Sequence, residues 1–246
     1  MFVPNHQILN NESHKNLSVN TRYNLELEPS VSYARIFLSE FRDIQNHYPI
    51  LFHKTEKNNT FDPIALFGFS PEENLFLDNQ GWHATYVPLS VQRKPFLIGF
   101  QEQEIEGKKV EAPMVFVDMD NPRISDTSDN TATPVFLPEG GQSDYLKHIN
   151  SVLIAVHDGH QQQIEFVAAL EKLSLLKRVT INAAHKDGSQ HEIDTLYGID
   201  EEKLYELPAD VLHELHQKRY LQAMYICLGS IANLNKLIAL KNKRHA

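Results

Sequence analysis

The apolar pattern of this chain shifts from mainly strand-like to mainly helical near Pro138, and that change limits the folds open to it. Before that point, Pro49-Ile50-Leu51-Phe52-His53, Ile64-Ala65-Leu66-Phe67-Gly68-Phe69 and Asn74-Leu75-Phe76-Leu77 are short apolar runs bounded by turn residues, the pattern of strands with a covered face. Phe96 to Gln103 and Met114 to Asp118 read as two more strands, joined by a polar segment with Gly107 at its turn. Beyond Pro138 the spacing becomes helical. Tyr145, Ile149, Val152, Leu153 and Val156 form one stripe, broken at Asp158-Gly159, and Ile164, Val167, Leu170, Leu173 and Leu175 form a second. Val179-Thr180-Ile181 and Ile193 to Tyr197 flank Asp187-Gly188 as a β-hairpin, and a final helix is expected over Pro208 to Leu240. Strands followed by helices, without regular alternation, predict an α+β fold: a mainly antiparallel β N-terminal half packed with a helical C-terminal half that contains one β-hairpin.

Three other segments complete the reading. Residues 1–22, rich in Asn, Ser and His, are expected to form an irregular arm, with residues 23–246 as one domain. Ser32 to His47 carries Tyr33, Ile36, Phe37, Phe41 and Ile44 at intervals of three and four, which predicts an amphipathic helix ending before Pro49. Asp120 to Thr133 is polar and turn-rich and is expected to be a loop.

Charge and cysteine content exclude several classes. With 23 Lys plus Arg against 32 Asp plus Glu, the net charge of −9 repels a phosphate backbone, and the only basic cluster is Lys241, Lys243 and Arg244, so no nucleic-acid partner is expected. A single cysteine, Cys227, permits neither an internal disulfide nor a thiolate zinc site. No run reaches the ~20 consecutive apolar residues of a spanning helix, and the N-terminus lacks the charged-then-apolar order of a signal peptide. The cytoplasm is the expected compartment, with no membrane association.

Trp82, Tyr86, Pro88, Arg93, Pro95 and Phe96 are the densest concentration of aromatic, proline and cationic residues. An arginine beside aromatic rings can stack and can also grip a carboxylate with two hydrogen bonds, which suits a pocket for a peptide end. The competing reading is a rigid corner, with Trp82 in the core and Arg93 paired to an internal carboxylate such as Glu40. Trp82, Tyr86, Arg93, Phe96 and Glu40 are therefore the candidate binding residues.

Other constellations are weaker. His157-Asp158-Gly159-His160 suits a break between helices. His185 and Asp187 have the form of two ligands of a ferrous-iron triad, yet they fall on an expected hairpin tip. His213 and His216 are one residue short of the zincin spacing. Glu139-Gly140-Gly141 reads as a turn ahead of a helix capped by Ser143. No catalytic residue, metal ligand or cofactor is assigned. The final helix has more apolar positions than one stripe uses, so it is either buried on several sides or offers a face to a partner, including a second copy of the chain.

Several segments together resemble the SapC family. They are Tyr48-Pro49-Ile50-Leu51-Phe52, Glu73 to Asp78, Gly81-Trp82 with Tyr86-Val87-Pro88 and Arg93-Lys94-Pro95-Phe96, then Phe136-Leu137 with Glu139-Gly140-Gly141, Leu196 to Leu204, and Leu221 to Asn233. The resemblance covers roughly residues 30–240. It implies an accessory role beside a flavin-dependent halogenase-like enzyme, a cupin-type oxygenase or an outer-membrane receptor. With the Trp82 to Phe96 corner, the expectation is an accessory protein that recognises a peptide or protein partner, one of these or a segment of the receptor. Two alternatives stand beside it. One is an enzyme modifying an amino acid or peptide with a histidine and a carboxylate such as Glu40 or Glu139, and the other is the surface-layer association that the family name suggests.

Overall fold

The structure is a computed structural model that describes residues 5–56, 59–105, 108–126, 131–184 and 190–244. The chain runs β1 (His6–Ile8), β2 (Leu17–Val19), β3 (Tyr33–Arg35), a 3-10 turn (Leu38–Glu40), α1 (Phe41–Ile44), β4 (Ile50–Lys54), β5 (Phe61–Leu66), β6 (Leu77–Asp78), β7 (Gly81–Trp82) and α2 (Leu89–Gln92). It continues through β8 (Phe96–Ile105), β9 (Lys108–Asp118), β10 (Ile124–Asp126), β11 (Thr133–Pro134), α3 (Asp144–Lys172), β12 (Leu176–Ala184) and β13 (Gln190–Ile199). Four helices close it: α4 (Glu201–Tyr205), α5 (Ala209–Gln217), α6 (Tyr220–Ser230) and α7 (Asn233–Arg244).

The fold is α+β, with a mostly antiparallel β N-terminal half and a helical C-terminal half that includes the β12–β13 hairpin. That hairpin completes a five-stranded sheet in the order β12-β13-β4-β5-β3. Smaller sheets are β1-β9-β8, β10-β2-β11 and β6-β7. The residues of the hairpin tip, including His185 and Asp187, and the Gly107 turn lie outside the described residues.

Two apolar clusters sit side by side. The larger lies between the five-stranded sheet and the helices, around Phe41, Tyr48, Phe52, Phe67, Phe166, Leu170 and Met224. The smaller joins Leu17, Val19, Phe96, Val117 and Val135. At 29 residues, α3 is about 43 Å long and serves both. Its first half gives Leu146, Ile149 and Leu153 to the smaller cluster, and its second half gives Phe166, Val167 and Leu170 to the larger. Ser143 caps it, accepting a hydrogen bond from the Leu146 amide at 3.2 Å.

Several expectations are corrected. Ser32 to His47 is not one helix: Tyr33–Arg35 pairs antiparallel with Ile64–Leu66, where the edge of β5 satisfies its backbone groups. Only the 3-10 turn and α1 remain helical there. Asp158-Gly159 does not break α3, since Gly159 is the position where Phe37 lies against the helix backbone, and a Cβ there would meet Phe37 Cβ at 2.7 Å. The glycine is a packing requirement. The final helix is three, parted at Arg219, whose φ of 62° is left-handed, and at Ile231-Ala232. Beside the second break the Ser230 hydroxyl accepts from the Ile50 amide at 2.8 Å, and the Asn233 amide donates to the Gln45 and Tyr48 carbonyls at 2.7 and 3.2 Å.

Asn74 to Leu77 is mostly a buried turn, in which Asn74 Oδ1 accepts from the Phe76 amide at 2.9 Å. Residues 6–8 and 17–19, within the segment read as an arm, are strands. Ile124–Asp126, within the expected polar loop, is a strand against β2.

Tyr220–Arg244 is, among the described residues, the one helical stretch long and apolar enough by length and composition to cross a membrane, with a mean hydropathy of 1.4 over its most apolar window. Gln222, Ser230 and Asn233 interrupt the consecutive apolar run on which the sequence reading relied. In this fold the stretch lies on the five-stranded sheet, with Met224, Cys227 and Leu237 buried. Burial raises the Cys227 thiol well above the ordinary thiol range, which suits a packing role.

Candidate functional site

Trp82 is placed by the short β6–β7 ribbon. Asp78 Oδ1 accepts from the Gln80 and Gly81 amides at 2.7 and 3.2 Å, and Gly81 takes a φ of 142° that a side chain rarely adopts. Turned inward by this bend, the indole packs edge-on against Phe67 at 5.3 Å and Tyr23 at 6.0 Å. Its Nε1 donates to the Tyr48 hydroxyl at 2.7 Å. Tyr48 is fully enclosed, and its hydroxyl donates to the Tyr86 carbonyl at 2.6 Å.

The connection runs on to Glu40. The Tyr86 hydroxyl donates to Glu40 Oε2 at 3.0 Å, the Leu89 amide donates to the same oxygen at 2.9 Å, and the Phe37 amide donates to Oε1 at 3.0 Å. Each carboxylate oxygen is thus used to hold a chain turn: the entry to the 3-10 turn on one side and the start of α2 on the other. Burial raises the Glu40 carboxyl to about 7, against the three donors, which favour its charged form. Burial and the Glu40 charge together push the Tyr86 hydroxyl far above its ordinary value.

Of the five residues singled out from the sequence, the structure joins Trp82, Tyr86 and Glu40 in this one network and leaves two outside it. Phe96 is wholly enclosed in the smaller apolar cluster, 6.2 Å from the Tyr145 ring. Arg93 donates to the Phe96 carbonyl at 3.0 Å, so the Arg93–Glu40 ion pair is not formed. Trp82 is the one that reaches a cavity. Its ring walls a pocket of about 360 Å³ together with Arg22, Tyr23, Asn24, Gln80 and Val87.

Arg22 and Tyr23 did not stand out in the sequence. The Arg22 guanidinium donates to the neutral acceptors Asn20 Oδ1 and Thr131 Oγ1, both at 3.3 Å, and no carboxylate among the described residues pairs with it. Tyr23 is clamped from behind by Arg123, whose guanidinium lies 4.3 Å from the ring centre. Arg123 is 2% exposed, and its Nε donates to Glu28 Oε1 at 2.6 Å. Lys94 takes the other Glu28 oxygen at 2.9 Å. An aromatic slot with a fixed guanidinium and amide groups can accept a carboxylate or peptide carbonyl while stacking an apolar or planar group.

His213 and His216 are both exposed on α5, and Glu139 is exposed in its turn, where Gly140 has a φ of 89°. Among the described residues, no three of His, Cys, Asp and Glu converge as a metal site.

In comparison with known proteins, the family model described as SapC matches residues 9–237. No curated protein and no solved structure matches the chain.

Proposed function

The chain belongs to the SapC family, and from that premise we propose that it is a non-catalytic, cytoplasmic accessory protein that recognises a peptide or protein partner at the pocket beside Trp82. The observation that carries the reading is the fixed indole: its nitrogen is satisfied from within by Tyr48, which leaves the ring's exposed part free to stack. Arg22 adds a positive charge with no carboxylate partner among the described residues, placed to receive an acidic group. Tyr86 and Glu40 act here as positioning residues, since their polar atoms point into the protein. The proposed partners are those that the family resemblance implies: a flavin-dependent halogenase-like enzyme, a cupin-type oxygenase or a segment of an outer-membrane receptor.

Calorimetry with those proteins and with peptides tiled along them tests the reading. Binding is expected to weaken by about tenfold or more in Trp82→Ala and in Arg22→Ala. Unchanged affinity in both variants refutes the surface.

A second reading rests on a different observation, the Glu40 carboxyl raised to about 7 beside the Tyr86 hydroxyl, which suits an acid or base in an enzyme acting on an amino acid or peptide. It requires the enclosed carboxyl to be uncovered. Turnover of such a substrate that disappears in Glu40→Gln while partner binding persists distinguishes it from the first.

A further inference from the structure

Another cavity lies away from Trp82 and shares no lining residue with that pocket. It is a groove of about 770 Å³ between α1, the middle of α3 and the junction of α5 with α6. That volume is within the range of about 300–1,000 Å³ of ligand-binding clefts.

The groove has an apolar floor and a cationic rim. Phe41, Ile164 and Ile226 line the floor; Phe41 is almost wholly buried, whereas Ile164 is 53% exposed. Arg42, Lys218 and Arg219 stand around it. Lys218 is paired with Glu214 at 3.1 Å, and the one lining carboxylate, Glu165, accepts the Tyr220 hydroxyl at 3.4 Å. Neither Arg42 nor Arg219 has a side-chain partner among the described residues. In a chain of net charge −9, two unpaired guanidinium groups beside exposed apolar surface form a local reversal of sign. Gln161, Gln162 and Gln222 also line the groove, and each amide carries both donors and an acceptor, the complement of a peptide backbone.

We propose that the groove between α1, α3 and α6 binds an acidic peptide segment that also carries apolar side chains. Its apolar side chains cover Ile164 and Ile226. Its carboxylates pair with Arg42 and Arg219 through the two-point geometry that guanidinium allows. Because the rim charges are exposed to solvent, salt screens the attraction, and affinity falls as ionic strength rises.

Arrays of short synthetic peptides test this with the full chain as labelled probe. One set alternates Asp or Glu with Leu or Phe, and a matched set replaces the acids with Lys. Binding to the acidic set is expected, with a loss of about tenfold or more in the Arg42→Ala/Arg219→Ala double variant and in Ile226→Asp. Circular dichroism confirms that each variant is folded, and the exposed arginines make the double variant the more secure of the two. Equal binding to the acidic and basic sets, no binding to the acidic set, or full binding by the double variant overturns the proposal.

Discussion

One hydroxyl, that of Tyr48, accepts the indole N–H of Trp82 at 2.7 Å and donates to the carbonyl of residue 86 at 2.6 Å. Tyr48→Phe therefore leaves both a donor and an acceptor without a partner. A loss of about 1–3 kcal/mol is expected in urea unfolding. Trp82 is the only tryptophan, so its emission reports on this site alone, and a native emission spectrum identical to that of the parent chain would contradict the contact.

The Glu40 carboxyl gives a pH dependence with a definite sign. Its value in the folded chain is raised from 4.5 to about 7, so the native state holds a proton that the unfolded state has released. The resulting stability is fully present below about 4.5 and is lost as pH rises through about 7, with a total on the order of 3 kcal/mol. Glu40→Gln removes this dependence between those limits. It also gives up at least one of the three hydrogen bonds, at a cost of about 1 kcal/mol. Urea midpoints taken from pH 4 to pH 8 measure both effects, and parallel pH curves for parent and variant would count against the raised value.

Gly159→Ala sets two effects against each other. Alanine favours the helix by about 1 kcal/mol over glycine, but its Cβ would lie 2.7 Å from Phe37 Cβ in a packed interior. Overpacking costs about 1–3 kcal/mol and is expected to win, lowering the melting temperature. A variant more stable than the parent would show that Phe37 does not lie on this helix.

Ser230→Ala tests the link between the C-terminal helices and the sheet. Ser230 is wholly enclosed, and its hydroxyl accepts from the Ile50 amide at 2.8 Å. Without it that amide is buried and unpaired, which costs about 1–3 kcal/mol. Hydrogen exchange at the Ile50 amide should quicken by more than at its neighbours in β4, and uniform exchange along the strand would argue against the bond.

What could be read in advance divides along physical lines. Ile50 to His53 and Ile64 to Leu66 were legible as strands because a run covered on its buried face needs little else to identify it. Tyr33–Arg35 was not, since its spacing fits a helix and only the free edge of β5, a distant feature, decides for a strand. Gly159 misled because a glycine between two helical stripes looks the same whether it ends a helix or admits a neighbouring ring. At the site, Trp82, Tyr86 and Glu40 were recognised as a group, but the direction of their polar atoms was not, because the network turns on Tyr48, which reads as part of a strand run. Arg22, Glu28 and Arg123 lie in polar segments with no periodicity, and nothing local marks them as neighbours.

The order of strands in the main sheet bears on how the chain is made. β4 and β5 leave the ribosome long before β12 and β13, and β13 is the strand that pairs with the free side of β4. Without β13, the margin of β4 that it pairs at Phe52 and His53 has no partner, and an unpaired sheet edge invites pairing with other chains. The last strands to be made are thus the ones that close the edge most exposed to pairing between chains.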